Sequence, residues 1–150
     1  MKEIREQIIA ILEKQILDKH RIISDDILSM QDAAAGEQKS SAGDKHETSR
    51  EMMRQELDLL QKNLNEINKE IQELEFLKNR VPTQHISAGS LVITTKGYFF
   101  LTSLSGKITF NDNKVVCVSP ASPFAKVILN LKPESDFSFQ SLSGKITAVI

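Results

Sequence analysis

The chain has one cysteine, Cys117, and no tryptophan. A lone thiol can form neither an internal disulfide nor a cysteine-based metal site, which excludes a disulfide scaffold and a zinc module. Cys117 itself reads as a small buried residue in a strand. No apolar run is long enough to span a membrane. The opening segment, Met1 to Leu12, interrupts its apolar residues with Glu3, Arg5 and Glu6, unlike a signal peptide. Together these absences predict a protein of the reducing cytoplasm. A dominant charge is also missing: 19 Lys+Arg stand against 20 Asp+Glu, a net of −1. Charge alone therefore gives no reason to make nucleic acid the main partner. There is no nucleophile elbow, no dinucleotide fingerprint and no Ser-His-Asp order. His20, His46 and His85 lack zinc-ligand spacing and read as structural or surface residues.

Glycine and aromatic residues are scarce only in the first half. Up to Val81 and Pro82 stand one aromatic residue, Phe76, and two glycines; beyond them stand six Phe, Tyr98 and four glycines. Residues 1–83 carry 13 Lys+Arg against 17 Asp+Glu, a net of −4, whereas residues 84–150 carry 6 Lys against 3 acids, a net of +3. The first half reads as helix and the second as short strands and turns. The predicted class is α+β, with a helical-hairpin coiled coil over residues 1–81 and a small β-rich domain with one short helix over residues 84–150.

The helical pattern is sharpest in residues 53–77, where Leu57, Leu60, Leu64, Ile67, Ile71 and Leu74 follow spacings of 3, 4, 3, 4 and 3. That is a coiled-coil seam. A looser seam precedes it in Ile9, Leu12, Ile16, Ile23, Ile27 and Met30, with Lys19 and His20 where an apolar residue is missing. In an antiparallel hairpin, facing residues have a constant number sum. Met30 with Met53, Ile23 with Leu60, Ile16 with Ile67, Leu12 with Ile71 and Ile9 with Leu74 all give 83, and Ile27 with Leu57 gives 84. This register puts the tip at about residues 36–47, with Gly36 and Gly43 as breakers. Each arm is then about 32 residues, roughly 48 Å at 1.5 Å per residue.

In the second half, strands are predicted over residues 90–95, 98–104, 114–118, 136–140 and 145–150. The turn signals are Lys96-Gly97, Asn111-Asp112-Asn113 and Ser143-Gly144. One helix is predicted from Ser122 as N-cap and Pro123 at its first position to Leu131, with Pro133 beyond it. The heptapeptide Ser-Leu-Ser-Gly-Lys-Ile-Thr occurs at 103–109 and again at 141–147, and is expected to form two similar hairpin turns. Its Gly-Lys-Ile-Thr lacks the spaced upstream glycine of a phosphate loop. Of Tyr98, Phe99 and Phe100, strand alternation puts at least one on each face of a sheet.

The candidate chemistry lies at the tip. Asp44 and Glu47 support two readings. One is a capping box, with Asp44 as N-cap and Glu47 at the third helical position. The other is a pair of carboxylates one turn apart that shares Mg²⁺ with a partner, since that ion takes oxygen ligands and few protein carboxylates. Lys39, Lys45, Arg50 and Arg54 surround them; they either touch RNA phosphates or balance Glu37, Glu47, Glu51 and Glu56 on a solvated face.

The order of elements resembles the Gre family of bacterial transcript-cleavage factors. Gly43-Asp44-Lys45-His46-Glu47-Thr48 is similar to the family's tip, Gly-Asp-Leu-Ser-Glu-Asn, with the glycine and both acids in register. Lys45, His46 and Thr48 depart from it, and a lysine beside the acids weakens cation binding by repulsion. Ile86-Ser87-Ala88-Gly89-Ser90-Leu91-Val92 and Val118-Ser119-Pro120-Ala121-Ser122-Pro123 are similar to segments of the family's second domain. The resemblance implies an FKBP-like C-terminal domain and a hairpin that inserts into the secondary channel of RNA polymerase. There Asp44 and Glu47 would help hold a shared Mg²⁺ while the polymerase cleaves the 3′ end of backtracked RNA. The protein would not be an enzyme by itself, would bind no cofactor tightly alone, and would be monomeric. The alternatives are a non-catalytic or inhibitory channel regulator and a coiled-coil adaptor.

Overall fold

A computed structural model describes the backbone of residues 1–38 and 44–150, and the side chains of all of these except 37, 38 and 44–46. The class is α+β, as the two periods predict. The order is α1 (Lys2–Gln38), α2 (Asp44–Asn79), β1 (Leu91–Thr94), β2 (Gly97–Leu101), β3 (Ile108–Phe110), β4 (Asn113–Val118), α3 (Pro123–Ile128), β5 (Asp136–Phe139) and β6 (Leu142–Val149).

The two long helices form a hairpin of 37 and 36 residues. Both are rich in Glu, Gln, Lys, Leu and Ile and contain no proline, so nothing interrupts the hydrogen-bond ladder. Gly36 does not break α1, which runs on to Gln38. Its surroundings explain why: Gly36 is exposed, nothing lies within 4 Å of where its Cβ would be, and one glycine costs a helix only about 1 kcal/mol. α2 stops just before Val81 and Pro82, where the proline ring disfavours helical backbone at the preceding residue.

Two compact units divide the chain: Met1–Gln15 with Glu70–Ile150, and Ile16–Lys69. In the unit Ile16–Lys69, the predicted seam is the least exposed stripe of each helix. Ile16, Ile27 and Ile67 are buried; Ile23, Met30, Met53, Leu57, Leu60 and Leu64 are half-buried. Lys19 and His20 fill the gap in the first seam and are half-buried as well. Two surface depressions are lined from both helices: one by Asp26, Ser29 and Met30 with Glu56 and Leu60, the other by Ala34 with Arg50, Met53, Arg54 and Leu57. They bring together the stretches that the number-sum register pairs. Short-range ion pairs line the outer faces, Arg21 to Asp18 at 3.9 Å, Arg54 to Glu51 at 3.0 Å and Lys69 to Glu66 at 2.9 Å. Each adds about 0.3–0.5 kcal/mol to its helix.

The unit Met1–Gln15 with Glu70–Ile150 is built on a six-stranded sheet of order β3-β4-β2-β1-β6-β5. All neighbours are antiparallel except β2 and β4, which run parallel from Tyr98 opposite Val115 to Leu101 opposite Val118. Strand alternation buries Phe99 and Phe100 on opposite faces. Phe99 joins Ile86, Val92, Leu101, Ala125, Ile128, Phe137 and Ile146 in one core. Phe124 of α3 closes it, its ring 4.8 Å from Phe99 and 5.6 Å from Phe139 between centroids. Such pairs add about 0.5–1.5 kcal/mol each beyond burial. On the other face, the Phe100 ring lies 5.8 Å from the guanidinium carbon of Arg5 on α1.

α3 starts as predicted. The Ser122 hydroxyl accepts a hydrogen bond from the Ala125 N–H at 3.2 Å, and Pro123 opens the helix. It ends at Ile128 rather than Leu131, because Asn130 takes a left-handed φ of 66° and donates its N–H to the Ile86 carbonyl at 2.9 Å. Asn111 and Asp112, with φ of 46° and 63°, make the turn joining β3 to β4. β3 itself was not among the predicted strands. The expected turn at Ser143-Gly144 is a correction: both residues lie inside β6, opposite Ser138 and Phe137, and the chain reverses at Gln140-Ser141. The two heptapeptide copies are therefore not similar turns.

Candidate functional site

α2 is described from Asp44 onward, and the residues just before it lie outside the described ones. Glu47, one turn on, is exposed. Residues three apart on a helix share a face, with Cβ atoms about 5–6 Å apart. Lys39 lies outside the described residues, as do the Asp44, Lys45 and His46 side chains and most of the predicted turn. Arg50 is exposed. Arg54 donates from Nη2 to Glu51 Oε1 at 3.0 Å, the charge balancing of a solvated face. Among the described residues, no three His, Cys, Asp or Glu side chains gather as a metal site. Two carboxylates on one helical face have the right donor chemistry for Mg²⁺, but supply only part of its octahedral shell. Such a pair functions only with ligands from another molecule.

A second constellation has no counterpart among the sequence candidates. Arg5 is only 8% exposed. Its Nε donates to the Gly89 carbonyl at 3.2 Å, and its Nη2 donates to the carbonyls of Leu77 at 2.8 Å and Gly89 at 3.1 Å. Arg80, just past the end of α2, donates from Nε to the Ala88 carbonyl at 2.7 Å. From Nη2 it reaches the hydroxyls of Thr83 at 3.0 Å, Ser87 at 2.8 Å and Ser90 at 2.8 Å. Its Nη1 is shielded from solvent and has no hydrogen-bond partner. Gly89 makes this approach possible. It adopts a left-handed φ of 82°, and a Cβ there would lie 2.5 Å from Arg80 Cδ. Desolvation lowers the pKa of both guanidiniums, and the charge of Arg80 lowers that of Arg5 further. The one sequence signal was Arg5 at helical spacing from Ile8 and Leu12, a charge on an apolar stripe.

No protein-family model matches this chain, and no curated protein matches it.

The remaining candidates are quieter. Burial pushes the Cys117 thiol up to about 11, so at neutral pH it is no nucleophile, in keeping with a packing role in β4. His85 is exposed and His20 sits in the α1 seam. Among the described residues, no helix is long and apolar enough to cross a membrane.

Proposed function

We propose that this protein is a hairpin-borne regulator of RNA polymerase in the cytoplasm, acting as the Gre factors do. The long helices would enter the secondary channel, and Asp44 and Glu47 would contribute oxygen ligands to a Mg²⁺ shared with the polymerase. When bound, that ion activates water and offsets the charge developing at the scissile phosphate. The observation that carries this reading is that Asp44 and an exposed Glu47 lie one turn apart in the second helix, in a hairpin of 37- and 36-residue helices. The small α+β unit after the hairpin supports it by its order in the chain. The test is RNA cleavage in a backtracked elongation complex, comparing wild type with Asp44→Ala and Glu47→Ala. Wild type should release short 3′ fragments, and each variant should still bind polymerase while losing most of that release. Binding without cleavage would leave a non-catalytic channel regulator. Absence of binding would end the polymerase reading.

A second reading, a coiled-coil adaptor, is favoured by a different observation. Leu17, Ile22, Leu28, Met52 and Leu59 are all at least half exposed, outside the hairpin seam. Large apolar side chains in that setting suit self-association. Light scattering separates the two: a monomer at low micromolar concentration fits the channel factor, a dimer the adaptor.

A further inference from the structure

Arg5 and Arg80 line a cavity of about 560 Å³, together with Lys2, Glu6, Glu13 and Lys78. The rest of its wall is mainly apolar, from Ile9, Ala10, Pro82, Val149 and Ile150. Its size falls in the range of small-molecule sites, about 300–1,000 Å³. Among the charges, the carboxylates are already matched. Lys2 lies 3.8 Å from Glu6, and Lys78 hydrogen-bonds Glu13. Counting side chains alone, four cations face two carboxylates, a net of +2.

Those arginines are an unusual pair. Every hydrogen bond described above for them goes to a neutral carbonyl or hydroxyl. Neutral acceptors fix the geometry of a guanidinium without neutralising it; the Phe100 ring and Glu6 offset part of the Arg5 charge, and Arg80 opposes it. A partly buried charge without a counter-charge is costly, and two adjacent ones more so. Holding the Leu77, Ala88 and Gly89 carbonyls is one reason for the arrangement, since apolar side chains would not donate to them, but neutral donors would serve there as well and the charge is left for another use. The Arg5 Nη1 takes no part in these bonds; the Arg80 Nη1 has no partner but is sealed from solvent, so Arg80 acts on the cavity through its charge. Neither guanidinium hydrogen-bonds an anion in the contacts described above. Guanidinium donors match the oxygens of a carboxylate or phosphate in charge and in angle.

We propose that this cavity binds a small amphiphilic oxyanion, whose charged head is held by Arg5 and Arg80 and whose apolar part lies against Ile9, Ala10, Pro82 and Val149. The site is independent of the hairpin tip, and the polymerase reading can fail without touching it.

The experiment titrates the full chain with sodium octanoate, octyl phosphate and octyltrimethylammonium, following the side-chain Nε–Hε signals of Arg5 and Arg80 by ¹H–¹⁵N NMR. Octanoate should shift both signals along a saturable curve, and the cationic amphiphile should leave them in place. Octyl phosphate, titrated beside octanoate with the same tail, separates the heads: the one that saturates at lower concentration names the head group. Arg80→Gln should weaken octanoate binding by about tenfold or more, with Arg80→Lys losing less, because the charge is removed in one and kept in the other. Should Arg80→Gln unfold, the exposed Glu6→Gln decides: it should tighten binding by about twofold to threefold by removing a like charge from the wall. The proposal is overturned if neither oxyanion moves the arginine signals at tens of millimolar, if the cationic amphiphile moves them equally, or if Glu6→Gln leaves the affinity unchanged.

Discussion

Ser-Leu-Ser-Gly-Lys-Ile-Thr occurs twice in this chain, and its copies adopt different backbones. In 103–109 the chain is irregular through Lys107 and becomes strand only at Ile108; in 141–147 it is strand from Leu142 onward. The leucines differ accordingly, Leu104 being 3% exposed and Leu142 only half-buried. The glycines meet different neighbours, Gln15 and Leu12 of α1 at Gly106, and Thr95, Lys96 and Phe137 at Gly144. The isoleucines agree: Ile108 is 1% exposed and Ile146 is 0% exposed. Identical local propensities thus give a loop beside a helix in one place and a paired strand in the other. The partners decide, as they do generally for short β segments. In the first copy, Gln15 Nε2 donates to the Lys107 carbonyl at 3.0 Å; in the second, β5 supplies a full ladder.

Paired substitutions at matching positions can break or sharpen this comparison, read by urea unfolding through the fluorescence of Tyr98, the only tyrosine. The largest effect belongs where the copies agree. Ile108→Ala and Ile146→Ala should each cost about 3–4 kcal/mol, as for fully buried isoleucine. A difference above about 1.5 kcal/mol between them would show that their burial is not equivalent. Next come the leucines, where Leu104→Ala should cost about 3 kcal/mol and Leu142→Ala about 1–1.5 kcal/mol, following their exposure. Equal costs would erase the contrast. Alanine at the glycines should cost both copies. A Cβ on Gly144 would lie 2.6 Å from Thr95 Oγ1, which accepts the Lys145 N–H, and 3.2 Å from the Phe137 ring. At Gly106 it would lie 2.6 Å from Gln15 Oε1 and 2.8 Å from Cδ2 of the buried Leu12. Gly144→Ala and Gly106→Ala should therefore each cost about 2 kcal/mol by overpacking. The smallest effect is at lysine. Lys145 lies 3.8 Å from Glu134 on the surface, so Lys145→Ala and Lys107→Ala should both stay within about 0.5 kcal/mol, as exposed charges do.

How much of this was readable in advance depended on range. The hairpin seams were, because a 3-4 spacing repeats many times within one helix, and the burial of Ile16, Ile27, Ile67 and Leu74 follows it. The N-cap at Ser122 was readable because its partner, the Ala125 N–H, is three residues away. β3 was not, since Ile108–Phe110 is three residues long and pairs only through the Asn111-Asp112 turn. The parallel pairing of β2 with β4 leaves no local trace at all. Gly144 suggests a turn in the sequence because glycine often marks one, whereas its missing side chain makes room for Thr95, Lys96 and Phe137. At the tip, Asp44 and Glu47 fit a cap and a ligand pair equally well, since both uses need the same two residues at the same spacing. The carbonyls that hold Arg5 lie 72 and 84 residues away, so its only trace in the sequence is a charge on an apolar stripe; the bonds of Arg80 span 3 to 10 residues, but no motif marks them.

Those spans have a consequence during synthesis. Arg5 leaves the ribosome long before Leu77 and Gly89, the carbonyls that engage it. At about 5–20 residues per second, the wait for Gly89 is about 4–17 s. During that interval the apolar stripe of Ile8 and Leu12 has no sheet to lie on, although the segment Ile16–Lys69 already carries both halves of its own seam. The opening turns of α1 therefore wait for their partners while the segment Ile16–Lys69 can already close its seam.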